Sequence, residues 1–384
     1  MSVESQNNSV AEFPIVTKMT LLAAAFIATG CVLTLSGCGS GRGLPVGPGQ
    51  PKSTPLQHIL FVGDSFTHGR YTPVRLYNSG GVQDSTAGSD LVFDENFGQT
   101  GVREESKEES GPWGGIPGIF AEFAVESGLK YDVHIEAISE TSLHKNYAAA
   151  SAVIDQSKWN AVVLQELSVL PLPSALSQSS ISDPGEFCSA VQTIEQGVHA
   201  AAPIANVYLY ETWPPADIAE ANSGSTSSAG FSAAYTQSLL NTAVDYHNAY
   251  YSAAAHDGQI AAVAPAGEAW VRAWAEEIAN PNPFTSASNL PVLWYGMNPV
   301  NDPRISGPDY HHPSIYGAYL SGLVLFEQIT GTDVRKLGAN EVAAIHVGIP
   351  ADIAVRLQNV AWETVTQENP SPIEQNVDPC TLSH

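Results

Sequence analysis

Five short apolar runs recur along the chain, and each is followed by a segment whose apolar residues return every three to four positions. The runs lie at 58–62, 132–138, 161–166, 206–211 and 260–263. Each is the length of a strand. Between them the spacing predicts helices. Phe120, Phe123 and Ala124 share one face of a helix over 117–128, and an Ala-rich helix covers 144–156. Phe187, Val191, Ile194 and Val198 stand at helical spacing. A long helix over 230–256 stops near Gly258, and another surrounds Trp270 and Trp274. A helix over 314–329 turns Leu320, Leu323 and Val324 inward and stops at Gly331; the last covers 350–365. Short apolar strands alternating with helices predict an α/β fold, a parallel sheet of five strands covered on both faces. There is no internal repeat and no second-domain boundary, so a single domain is expected over 56–365.

The polar stretches are uneven. Residues 70–115 are long, polar and Gly-rich. Coming straight after the first strand, they are expected to wall a cleft. Residues 167–183 are a Ser/Pro-rich loop and 279–310 are irregular. The tail, 366–384, is polar with three prolines and is expected to be loose.

Charge removes some functions. The chain has 384 residues, with 15 Lys+Arg against 39 Asp+Glu, for a formal net charge of −24. That surplus repels phosphate backbones and anionic membrane surfaces, so no nucleic-acid partner is expected. The N-terminus reads as an export signal over 1–37. An apolar run from Leu21 to Leu35 is short for a membrane span and ends in Leu35-Ser36-Gly37-Cys38. This tetrapeptide resembles the bacterial lipobox, which implies a lipid on Cys38 and a cell-envelope protein held to the membrane only by that anchor. Ala28-Thr29-Gly30-Cys31 fits the pattern in part. Residues 38–55 read as a Gly/Pro-rich flexible linker. In an exported chain Cys188 and Cys380 are a candidate disulfide or two free thiols.

The chemistry gathers at two places. The first strand breaks into Gly63-Asp64-Ser65, which puts a hydroxyl at the carboxyl end of the sheet, where open α/β sheets bind ligands. Far downstream, Asp309-Tyr310-His311-His312 precedes a helix. Asp309 can orient His312, and His312 can take the proton of Ser65. A metal at this second block would need further ligands at typical spacing, and none accompanies it. His68, His134 and His144 read as surface or strand-end residues. Trp213 and Trp294-Tyr295 read as packing residues, with stacking on a sugar as the alternative.

These two blocks, at opposite ends of a five-strand α/β pattern, resemble the SGNH/GDSL-type hydrolases. The resemblance covers residues 57–365. It implies a flavodoxin-like three-layer α/β/α sandwich and a serine esterase with Ser65, His312 and Asp309 as its triad. No cofactor is required. The substrate implied is a small ester, with O-acetyl groups on carbohydrate as one class. Other family features are altered. Phe66 replaces the usual Leu, and Leu164-Gln165-Glu166-Leu167-Ser168 replaces Gly-x-Asn-Asp. The second-block Gly, expected near Ser139, Glu140 and Thr141, is missing. The oxyanion hole implied is therefore the Ser65 backbone N–H, an N–H from Ser139–Thr141, and the Gln165 amide. The rival reading is a non-catalytic ligand- or glycan-binding lipoprotein on the same fold.

Overall fold

The five apolar runs and one further segment form six parallel strands: β1 (Gln57–Gly63), β2 (Val92–Asp94), β3 (Tyr131–Ala137), β4 (Ala161–Leu164), β5 (Asn206–Glu211) and β6 (Ala262–Pro265). Their order across the sheet is β2-β3-β1-β4-β5-β6. The computed structural model describes residues 55–80, 90–284, 288–296, 308–373 and 377–382. The predicted signal, Cys38 and nearly all of the predicted linker lie outside them. The five expected strands are present and, taken alone, run second-first-third-fourth-fifth across the sheet, the flavodoxin-like order. The sheet has six strands rather than five. The extra one, β2, lies inside the stretch expected to be a loop. It is three residues long, pairs with Val133–Ile135 of β3 at the sheet edge, and makes one further bridge, from Val92 to Ser79. A run of three shows no periodicity from which a strand can be predicted.

Helices α1 (Ser65–His68), α2 (Gly115–Glu126), α3 (Leu143–Ile154), α4 (Ser174–Ser177), α5 (Pro184–Ala201), α6 (Ala216–Ala221), α7 (Phe231–Asp257), α8 (Ala266–Ala275), α9 (Ile315–Thr330), α10 (Val342–Val347) and α11 (Ala351–Thr366) fill the crossovers and the C-terminal region. Successive strand residues point to opposite faces, and the two cores divide accordingly. Ile59 and Phe61 of β1 pack with α2, α8, α9 and α11. Leu60 and Val62 pack with α3, α5 and the second half of α7. Both faces are covered, which is why the strands read as continuous apolar runs rather than alternating ones.

The tail is tied down rather than loose. Cys188 of α5 and Cys380 form a disulfide, with Cα atoms 5.5 Å apart. Pro379–Thr381 makes a helical turn against α5. The Ile373 N–H donates to Asn248 Oδ1 at 2.7 Å, and the Ser371 carbonyl accepts from His247. Polar, proline-rich composition signals weak local structure, but a covalent link and hydrogen bonds to α7 override it.

Candidate active site

Because every strand runs the same way, all their carboxyl ends fall on one edge of the sheet. Gly63 is in register with Ala137 of β3, and Val62 with Leu164 of β4. The turns that follow carry Ser65, Ser139–Thr141 and Gln165–Glu166 to the same rim.

The turn after β1 is built to present Ser65. Asp64 caps α1: its Oδ1 accepts the Phe66 N–H at 2.9 Å. Burial pushes the Asp64 carboxyl up to about 7 against the pull of that hydrogen bond. Gly63 has no room for a side chain. A Cβ there would lie 2.3 Å from Thr67 Oγ1 and 2.5 Å from Gln165 Oε1. That oxygen accepts the Asp64 N–H at 3.0 Å and the Thr67 hydroxyl at 2.7 Å. A backbone N–H can only donate, so the atom facing it is the amide oxygen, and the amide orientation follows. The Gln165 NH2 gives one hydrogen to the Glu166 carbonyl. Glu166 is itself structural. Its Oε1 accepts the N–H groups of Leu143 at 3.0 Å and Leu167 at 2.6 Å, and burial raises its carboxyl to about 8.

His312 reaches this turn from the other end of the domain. Ser314 caps α9 by accepting the N–H groups of Tyr316 and Gly317, so the chain just before it lies against the rim. His312 Nε2 is 2.8 Å from Ser65 Oγ, and His312 Nδ1 is 2.8 Å from Asp309 Oδ2. Asp309 Oδ1 accepts the N–H groups of His311 and His312 at 2.9 and 3.1 Å. Burial alone would raise the Asp309 carboxyl. The His312 imidazole and the hydroxyl of Tyr71, which donates to Oδ2 at 2.6 Å, outweigh it and hold the group well below the usual carboxylate range. Tyr71 is pushed the other way, by burial and then by Asp309, and so stays a donor. Of the two adjacent histidines the structure selects His312. His311 Nδ1 turns to Asp217 at 3.0 Å, and its carbonyl accepts the Trp213 indole N–H at 3.0 Å.

The second-block position has a backbone answer. Among Ser139, Glu140 and Thr141, Glu140 holds φ at +57°, the left-handed region that glycine adopts without strain. Thr141 donates to the Ser139 carbonyl at 3.1 Å, and Ser139 Oγ lies 3.0 Å from His68 Nε2. His68 is no surface residue. It is fully buried and stacked on Trp113, with ring centroids 4.2 Å apart. Burial, helped by the nearby Arg75, holds its imidazole well below the usual range. His134 is buried against Glu95 and Asp132, and His144 is exposed. Trp213 and Trp294 are both buried and form a ladder: Phe66 on Trp213 (4.7 Å), Trp213 on Trp270 (4.3 Å), and Trp274 on Trp294 (5.0 Å). Only Tyr295 of that group is half-buried, stacked on Tyr71 at 3.7 Å.

Sequence reasoning did not single out Tyr71, Arg70, Glu109 or Trp113. All four come from the stretch between β1 and α2. Arg70 Nε lies 3.0 Å from Glu109 Oε1, which folds that stretch back onto the turn after β1. The available signal was adjacency: Arg70 and Tyr71 directly follow the Ser65 block.

Fold and constellation together define an α/β protein with a hydrogen-bonded Ser–His–Asp set at the carboxyl edge of its sheet. This is the arrangement that nucleophilic acyl transfer requires. No protein-family model and no curated protein matches the chain. Solved structures similar to it include phospholipase A1 from Streptomyces albidoflavus (13% identity, TM-score 0.39, covering 70% of this chain and 97% of that one). They also include Est24, a carbohydrate acetylesterase from Sinorhizobium meliloti (12%, 0.36, 72% and 99%). A third is Axe2, an acetylxylan esterase from Geobacillus stearothermophilus (11%, 0.36, 77% and 95%). At this distance the likenesses say nothing of chemistry, which rests on the residues of this chain.

Proposed function

We propose that this chain is an exported, lipid-anchored serine esterase that hydrolyses carboxylic esters, with small acyl groups on carbohydrate as the substrate class. The observation that carries the reading is the unbroken path from Ser65 Oγ through His312 to Asp309, both contacts at 2.8 Å. Ser65 Oγ bonds to the ester carbonyl carbon while its proton passes to His312 Nε2. The tetrahedral oxyanion is held by the Ser65 N–H, by an N–H of the Ser139–Thr141 turn, and by the second amide hydrogen of Gln165. On collapse His312 returns the proton to the departing alkoxide. Water, activated by the same imidazole, then releases the acid from Ser65. Asp309 keeps Nδ1 protonated and stabilises the imidazolium. Tyr295, outermost on the Tyr71 stack, offers a ring face to a sugar at the rim. The sequence resemblance to the SGNH/GDSL-type hydrolases points the same way. Export and the anchor rest on the Leu35-Ser36-Gly37-Cys38 pattern alone.

The test is p-nitrophenyl acetate hydrolysis by the purified protein and by Ser65→Ala. The expected loss is about 1,000-fold or more. Equal rates would end the esterase reading and leave the ligand-binding one. Mass spectrometry of the mature N-terminus tests the anchor: a diacylglyceryl mass on Cys38 is expected.

A further inference from the structure

A second cluster of chemistry-bearing side chains gathers at the end of β5, on residues that the serine chemistry does not use. Glu211 is the last residue of β5, His247 lies in α7, and Glu268 stands in the first turn of α8. One carboxylate oxygen from each glutamate and one ring nitrogen of His247 all lie within 4.8 Å of one another. His247 Nδ1 is 2.6 Å from Glu268 Oε1, and its Nε2 is 2.9 Å from the Ser371 carbonyl. Glu211 is 1% exposed, and its Oε2 has no hydrogen-bond partner among the described residues. A third carboxylate flanks the group. Tyr251 stacks on His247 at 4.3 Å and donates to Glu368 at 2.6 Å.

This is an excess of carboxyl groups around one imidazole. Arg272, nearby on α8, does not offset it, because its guanidinium is engaged by Glu363 at 3.3 Å and Glu276 at 3.6 Å. Buried charges are paired or bound to a cation, and a buried carboxyl with neither keeps its proton. An imidazole whose far N–H is anchored on a backbone carbonyl presents its other nitrogen as metal-bound histidines do. Two carboxylates and an imidazole suit a divalent transition ion better than calcium or magnesium, which take oxygen alone. A cavity of about 580 Å³, lined by His247, Glu268, Thr364 and Asn369, adjoins the cluster and has room for water ligands.

We propose that Glu211, His247 and Glu268 form a binding site for a divalent transition-metal ion. The ion would join β5, α7 and α8 and, through the His247–Ser371 contact, the C-terminal segment. The site lies on residues separate from Ser65, His312 and Asp309, so the proposal does not depend on the esterase reading.

The test is calorimetric titration of the purified, EDTA-stripped protein with ZnCl2, with thermal unfolding followed in parallel. Wild type is expected to bind one Zn²⁺ per chain and to unfold at a higher temperature when loaded. Glu211→Gln, which keeps the shape of the buried side chain, is expected to weaken binding at least tenfold. Glu268→Gln, at a half-buried position, repeats the test if the first variant folds poorly. His256→Ala is the control for the exposed His256–Asp378 pair and is expected to bind as wild type does. Absence of saturable Zn²⁺ binding by wild type would overturn the proposal. So would affinity unchanged in both glutamate variants, or binding lost in His256→Ala.

Discussion

At the residue scale, Asp309 Oδ2 takes two donors, His312 Nδ1 and the Tyr71 hydroxyl. Tyr71→Phe removes one of them without emptying the site. A hydrogen bond to a charged group contributes about 1.5–3 kcal/mol, and part of that is recovered from His312, so kcat is expected to fall about tenfold with KM little changed. Steady-state kinetics on p-nitrophenyl acetate checks it. Gln165 accepts through its amide oxygen and donates through its NH2, and one substitution removes only the donor side. Gln165→Glu keeps an oxygen for the Asp64 N–H and the Thr67 hydroxyl but removes the amide donor. If the second amide hydrogen reaches the oxyanion, kcat drops about 100-fold; the melting temperature falls as well, because the Glu166 carbonyl loses the other amide hydrogen. An unchanged kcat would leave Gln165 as a support for the Ser65 turn and nothing more.

At the scale of elements, the tryptophan ladder connects the turn after β1 to α8 and to the segment before α9. Trp213 is its centre, stacked on Phe66 and Trp270, with its indole N–H on the His311 carbonyl. Trp213→Ala opens a cavity and frees that carbonyl. A cost of about 3–5 kcal/mol is expected in urea unfolding, together with a lower kcat as His312 loses its fixed approach. The stretch between β1 and α2 plays the matching part on the other side. It supplies the edge strand β2, the Arg70–Glu109 pair and the Trp113 face under His68.

For the whole molecule, two properties follow from burial and topology. The Cys188–Cys380 bridge closes a sequence separation of 192 residues, far from the triad along the chain. Loop-closure entropy for that length is worth up to about 5 kcal/mol. Cys188→Ala with Cys380→Ala is expected to lower the melting temperature while leaving the 25 °C ester rate close to wild type. The second property is acid tolerance. Burial lifts Asp64 and Glu327 to about 7, and Glu166 and Glu341 to about 8. Folded carboxyls with raised values hold protons that the unfolded chain has already released. Stability therefore falls as pH climbs from about 4 toward 8. Asp309 works in reverse: its lowered value contributes stability above about pH 4 that is lost under stronger acid. Thermal unfolding is expected to run higher at pH 5 than at pH 8.5; the opposite order would contradict the raised carboxyls.

Strand and helix positions were legible because a sheet covered on both faces demands unbroken apolar runs, and helices against it demand a three-to-four-residue repeat. The Ser65 and Asp309–His312 blocks were legible for a similar local reason: a strand-end turn and a helix-start loop are each written in consecutive residues. Other features were not written locally. β2 is too short for a period to form. His68, Tyr71 and Trp113 matter only because the stretch between β1 and α2 folds back onto the first turn. The pairing of Cys188 with Cys380 depends on a Cα separation that no sequence states. The cluster of Glu211, His247 and Glu268 joins a strand end to two helices, with no ligand spacing to announce it. The sequence by itself determined the elements and the nucleophile with its base, since both depend on neighbours along the chain. Tertiary structure alone decided what Gln165 and Glu166 support and where the buried carboxyls collect, because those depend on distances between segments far apart in sequence.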